Sequence, residues 1–387
     1  MSLRQIGWLL FLAGLPFAHF VYHRVDIWHA QTAWAQAGLA GVFCLGLLKT
    51  ERPIVRNLPL ACFTLWVCWQ TLAIWQHELP GAKQYPSSLL MPWLHTMCLS
   101  FFYLAATTQW THTFLEELFK WLSRVAALIT GYGVLQVCNL DQFYRFIDGS
   151  KQVDTLMGTI GNPSHFGISL ALLLPIVLMR SRWYWKLLAI GMLLLIGLSQ
   201  SAVGVVCGIM ALTWWCGWHR RKLLWLPIVI LLMGSLWVAK HPTYLNPEGR
   251  LEALQLNWQD YADTAGVERH HAKPTITGFG LGYIMARSQI VPATSMLHSW
   301  KHIHNAPLQV LMELGVIGFG LLLWSLCAYW KRFWQVRQHP LATICAGIFL
   351  LFSFSSLFHF TDHLWVTAAM GLIGYCGVYV LGAEQVG

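Results

Sequence analysis

Charged side chains are scarce in this chain, at 11% of its 387 residues against roughly 25% in an ordinary soluble domain. That deficit excludes a water-soluble surface, because hydrophobic residues make up 56% of the chain. Acids are rarer still inside the apolar blocks, where Glu313 is the exception. A transporter or channel usually places ionisable groups or broken helices at mid-membrane, whereas here the polar density sits in the outer loop and no internal repeat is present. Cysteine is plentiful, but the one long polar segment contains none. Cys44, Cys62, Cys68, Cys98, Cys207, Cys216, Cys327, Cys345 and Cys376 lie inside apolar blocks and Cys138 at the end of one. They read as small core hydrophobes, and neither a disulfide scaffold nor a Cys-based zinc site is indicated. The formal charge of +9 comes from short clusters scattered between apolar blocks, and no basic face with interleaved aromatics appears, so nucleic acid is not an expected partner.

What the chain does have is apolar length. Crossing a hydrocarbon core of about 30 Å takes around 20 helical residues. Hydrophobic runs between charged punctuation predict an all-α polytopic membrane protein of about twelve transmembrane helices, with one large outer loop. The spans fall near 5–22, 32–48, 58–75, 89–107, 121–138, 163–179, 185–199, 202–218, 223–239, 306–329, 341–358 and 364–381. Ile6 to Phe20 has the length of a signal-peptide core behind Arg4. No A-x-A cleavage site follows it and further spans do, so it is read as the first span. The 22 tryptophans fit many short crossings, since Trp gathers at headgroup level.

Basic residues orient the spans. With Arg4 inside, the inner segments hold fifteen Lys and Arg, and the short outer segments hold only Arg24, Lys83, Arg145 and Lys151. By the positive-inside rule both termini are cytoplasmic and 240–305 faces the other side. The chain then divides into residues 1–239 with nine spans, the loop 240–305, and residues 306–387 with three spans. The two short spans meeting at Ser199, Gln200 and Ser201 read either as a pair or as one bent re-entrant unit. In the loop, Asn246 caps a predicted helix with Pro247 at its first position, and Leu251, Leu254, Trp258 and Tyr261 form one apolar stripe suited to the membrane surface or to the bundle's outer mouth. Gly278, Gly280 and Gly282 follow as G-x-G-x-G, with no strand before and no acid after. A tight bend is the better reading than a dinucleotide site.

The densest polar chemistry lies in HSWKHIHNAPLQVLMELGVIG, from His298 to Gly318, where a histidine-rich stretch runs into span ten. One reading is a capping sequence, with Asn305 as cap and Pro307 in the first turn. The other makes His304 a general base for an acceptor hydroxyl, since imidazole titrates near neutrality. His298, His302 and His304 also give a metal-like spacing, but no cysteine supports it and the nearest acid, Glu313, lies inside the span. No metal or other cofactor is assigned. Arg250 is either a surface charge or a bidentate phosphate clamp, with Arg287 and Lys301 as weaker candidates. Asn162, Ser164 and His165, in GNPSHF at the outer end of span six, read equally as a helix cap or an anion site. Asp362 and His363 either complete the outer cavity or form a wet turn.

These residues resemble a family, the bacterial O-antigen ligase and O-antigen polymerase superfamily of polytopic glycosyltransferases. His304-Asn305, nine residues, then Gly315-Val316-Ile317-Gly318 is similar to the ligase signature of His, then Asn, Ser or Gln, nine residues and Gly-x-x-Gly. GNPSHFGISLALLLP from Gly161 resembles the family's Gly-Asn-Pro segment at a span start. GRLEALQLNW from Gly249 and GFGLGY from Gly278 resemble its Gly-Arg helix and glycine turn. The resemblance covers roughly Gly161 to Tyr329. It departs at Ser199-Gln200-Ser201-Ala202, where the family often carries Ser-Arg facing the lipid diphosphate.

The resemblance implies a GT-C-like fold in the bacterial inner membrane. It also implies metal-independent, inverting transfer of a glycan from undecaprenyl diphosphate to an acceptor hydroxyl on the periplasmic face. The acceptor is lipid A-core for a ligase, with a growing glycan for a polymerase, or a protein for an O-oligosaccharyltransferase, as alternatives. In that scheme His304 is the base and Asn305 positions it or the acceptor. Arg250 holds the diphosphate, and Arg287, Lys301, Asn162, His165 and His298 are further donor contacts.

Overall fold

A computed structural model describes residues 2–18, 27–47, 57–76, 86–141, 156–219, 276–278, 280–281, 305–359 and 364–384. Among them the architecture is all helical. The helices are α1 Leu3–Gly14, continued by a 3-10 turn over Leu15–Phe17, α2 Ile27–Leu47, α3 Leu58–Gln76, α4 Pro86–Gln109, α5 His112–Val137, α6 Pro163–Leu178, α7 Trp183–Leu198, α8 Ala202–His219, α9 Ala306–Val336, α10 Pro340–Ser355 and α11 Trp365–Glu384. Eleven of the twelve predicted spans overlap these helices, and the ninth, near 223–239, lies outside the described residues. By length and composition four helices can cross a membrane: His112–Val137, Ala202–His219, Ala306–Val336 and Trp365–Ala383. Helices α6, α7 and α10 are apolar but shorter, at 16 residues each.

The pattern of burial explains the arrangement. Helix α6 contains no charged residue, and everything from His165 to Leu178 is buried. A helix apolar on all sides belongs in the middle of a bundle. It packs on α5, α7, α8, α10 and α11, and α11 in turn touches α2, α4, α9 and α10. Hydrocarbon is as apolar as leucine, so such helices are held by close packing more than by the hydrophobic effect. A Cβ on Gly204 would lie 2.9 Å from the carbonyl carbon of Gly167, which is how near the α6 and α8 backbones come. The outward face of α7 is the converse: Leu187, Ile190, Leu194 and Leu198 are all more than half exposed, while Ala189, Met192, Leu195 and Ile196 are buried. An apolar stripe of that length suits lipid and would be an aggregation liability in water.

The bundle has two chemically different ends. All nine lysines and arginines among the described residues, namely Arg4, Lys120, Arg124, Arg180, Arg182, Lys186, Lys331, Arg332 and Arg337, gather toward one end. Contacts tie that end together: Trp8 Nε1 donates to Gln109 Oε1 at 2.8 Å, Arg180 Nε to Ser123 Oγ at 3.1 Å, and the His112 and His339 rings lie 4.8 Å apart. The C-terminal end of α11 is there too, since a Cβ on Gly382 would collide with the Arg332 guanidinium. The start of α1 and the end of α11 therefore share the basic end. Helix α5 begins at His112, earlier than the span predicted from residue 121, because Thr111 caps it and a polar first turn precedes the apolar stretch.

Candidate functional site

The other end collects helix starts and polar side chains. Asn162 caps α6: its Oδ1 accepts from His165 N at 3.2 Å, with Pro163 at the first helical position. The turn before it is anchored by Gln136, whose Oε1 accepts from Gly158 N at 2.8 Å and whose Nε2 donates to Asp141 at 2.8 Å. Tyr132 donates to the same carboxylate oxygen at 2.7 Å. Helix α8 starts alongside, because Ser201 Oγ accepts from Gly204 N at 3.0 Å and reaches the Ser164 carbonyl at 3.3 Å. Ser199–Ser201 is thus a tight turn between two separate helices, with Gln200 exposed and in the left-handed region at φ 56°.

Asn305 caps α9, and both ends of its amide are engaged. Oδ1 accepts from Leu308 N at 2.8 Å, and Nδ2 donates to the Leu357 carbonyl at 2.9 Å. Ala306 N donates to the Ser356 carbonyl at 2.8 Å. The start of α9 is therefore stitched to the turn after α10. That turn ends in His359, whose ring centroid lies 4.3 Å from that of His165, with both histidines buried. Through the Ser356–His359 turn the structure brings Asn162, His165 and Asn305 into one neighbourhood. Buried Gln31 adds a fourth helix start there, its Oε1 accepting from Val366 N at 3.1 Å at the head of α11.

Helix α9 is not continuous. At Gly315 the backbone turns to φ 67°, ψ −171°, ten residues beyond Asn305 and about 15 Å along the axis. That is roughly the middle of a hydrocarbon core about 30 Å thick. Breaking a helix frees carbonyls that hydrocarbon cannot satisfy, and two of them have replacement donors here. Gly280 N donates to the Glu313 carbonyl at 2.9 Å, and Trp66 Nε1 to the Leu314 carbonyl at 2.9 Å. Gly278 and Gly315 meet backbone to backbone: a Cβ on Gly315 would lie 2.3 Å from the Ile276 carbonyl oxygen, and one on Gly278 would lie 2.4 Å from Gly315 N. Both have positive φ, as does Gly280 at 98°. The glycine turn of the large loop bends tightly, as its composition predicts. It packs against the break in α9, with Gly280 buried, Gly278 partly buried and Ile276 exposed. Buried Glu313 sits at that break.

Of the predicted site residues, Asn162, His165 and Asn305 are placed as above. His304, Arg250, Arg287, Lys301 and His298 lie outside the described residues, as do Gly282, Asp362, His363 and the predicted loop helix. Among the described residues no group of three or more His, Cys, Asp and Glu is arranged to hold a metal. Sequence reasoning passed over His359, Gln31 and Trp66. The signal for His359 was its position at a span end, where histidine needs a partner or water. No protein-family model and no curated protein matches the chain.

Proposed function

We propose that this chain transfers a glycan from undecaprenyl diphosphate to an acceptor hydroxyl on the periplasmic face of the bacterial inner membrane. The favoured acceptor is lipid A-core, which makes the protein an O-antigen ligase. One observation carries the reading: at the end of the bundle opposite its basic residues, the α6 cap, the Ser199–Ser201 turn and the α9 cap at Asn305 converge. Helix starts present backbone N–H groups and positive partial charge, which suits a diphosphate.

The chemistry asks little more. The acceptor oxygen attacks the anomeric carbon, and the carbon–oxygen bond to the diphosphate breaks with inversion. The hydroxyl proton passes to His304. Diphosphate is a good leaving group, so cations such as Arg250, with Arg287 and Lys301, hold its charge. Asn305 acts as a positioning residue: its amide is spent on the α9 cap and the Leu357 carbonyl, which fixes the start of the helix that follows His304 in sequence.

The test is the glycolipid profile of cells lacking the gene, complemented with wild type, His304→Ala or Arg250→Ala at equal membrane expression. A ligase predicts loss of all long glycan on lipid A-core in the variants, with lipid-linked polymer accumulating. A single capped repeat would instead indicate a polymerase, and glycan missing only from protein would indicate an O-oligosaccharyltransferase. An unchanged profile in every strain refutes glycan transfer.

One observation favours a second reading, solute or proton passage. A broken helix with a buried carboxylate near mid-membrane, as at Glu313 and Gly315, is a feature of transporters. Under that reading Glu313→Gln abolishes proton movement into proteoliposomes, followed with an interior pH dye. Under glycan transfer no such movement exists and the glycan ladder is the quantity that changes.

A further inference from the structure

Among the described residues, five cations, Lys120, Arg124, Arg180, Arg182 and Lys186, gather on α5, the α6–α7 connection and the start of α7, where α5 also carries the carboxylates Glu116 and Glu117. Two of the cations, Lys120 and Lys186, and both carboxylates have partners of their own. Lys120 pairs with Glu117, Glu116 lies 3.7 Å from His112, and Lys186 donates to the Leu178 carbonyl while its ammonium lies 5.2 Å from the Trp215 ring centre. Among the described residues the arginines have neutral partners: Arg124 lies over the Trp121 ring, and Arg182 Nη1 donates to the Tyr184 hydroxyl at 3.3 Å. Arg180, in the connection between α6 and α7, is oriented by its Nε bond to Ser123 on α5. Its Nη2 is buried with no hydrogen-bond partner. Burial first, and the neighbouring Arg124 charge second, hold its pKa below the usual guanidinium value, with Glu117 and Tyr184 opposing. A buried donor facing a second cation is costly unless an anion joins them.

We infer that Arg180, Arg124 and Arg182 form a binding site for the phosphate headgroup of an anionic lipid, set between α5 and the α6–α7 connection. Guanidinium forks match phosphate oxygens bidentately, and Arg180 is already oriented for it. The surroundings specify lipid over free phosphate. Trp121, which stacks under Arg124 at 4.8 Å, and Trp183 and Tyr184 are exposed aromatics at the same level, as at a headgroup boundary. The exposed Leu187, Ile190 and Leu194 then continue down α7 as a surface for the acyl chains. Basic pockets between helices at this depth are a known way of holding anionic headgroups.

The experiment uses the full chain purified in neutral detergent. Phosphatidylglycerol, phosphatidylcholine or inorganic phosphate is titrated in, retained lipid is counted by native mass spectrometry, and thermal unfolding is followed in parallel. Phosphatidylglycerol is expected to be retained and to raise the unfolding temperature, with neither effect from the other two. Arg180→Gln and Arg124→Gln should each weaken apparent phosphatidylglycerol affinity roughly fivefold, the effect of about one surface charge. Arg337→Gln, a basic-end residue stacked on Trp334, should leave it unchanged. If Arg180→Gln fails to fold, Arg124→Gln, exposed and outside the core, decides alone. Wild-type affinity in both variants, equal weakening by Arg337→Gln, or a full thermal shift from inorganic phosphate overturns the inference.

Discussion

Replacing Gly315 with alanine should be the most damaging single-methyl change in α9. At φ 67°, ψ −171° the residue occupies backbone space open essentially to glycine, which costs another residue about 1–3 kcal/mol. The new Cβ would also lie 2.3 Å from the Ile276 carbonyl oxygen and 2.4 Å from Gly278 N, and backbone cannot step aside as a flexible side chain can. The 276–281 turn must then leave α9, and the Gly280-to-Glu313 hydrogen bond goes with it, adding about 1 kcal/mol. The sum is a loss of about 2–4 kcal/mol. Reversible unfolding in mixed micelles, by graded addition of SDS, measures it. Gly320→Ala on the same helix is the control: a Cβ there meets nothing within 4 Å, and alanine gains up to about 1 kcal/mol over glycine in a helix. If Gly315→Ala is as stable as Gly320→Ala, the break and its docking on the glycine turn do not have the role argued for them.

Three further outcomes follow from the same contacts. Asn305→Ala removes the α9 cap and the tie to Leu357, and should cost about 1–2 kcal/mol in the same unfolding assay; Asn305→Asp keeps the acceptor, loses the donor, and should fall between. Gly204→Val drives side-chain atoms into the Gly167 backbone and should cost at least about 1–3 kcal/mol, whereas Gly217→Ala, with open space around it, should not destabilise. Trp66→Phe keeps an aromatic side chain, though a smaller one, and deprives the Leu314 carbonyl of its donor, for a loss of at least about 1–2 kcal/mol that Gly280, bonded to Glu313, cannot offset.

Composition and period alone made the helical, apolar character of the chain legible, because a segment's burial in lipid depends on its own residues. Helices α6 and α9 begin where Asn162-Pro163 and Asn305-Ala306-Pro307 predict, since a cap is a local hydrogen bond between residues three apart. The clustering of arginine and lysine at one end was equally visible, because charge placement along a membrane chain alternates with the spans. Tertiary structure alone decided what meets at the other end. His359 and His165 are separated by most of the chain's second half, and no local pattern specifies that their rings lie 4.3 Å apart. The break at Gly315 was hidden for the same reason. LMELGVIG has the period of an uninterrupted span, and the backbone leaves the helix there because Gly278, Gly280 and Trp66, distant in sequence, supply the close approach and the donors that compensate for the lost helical bonds.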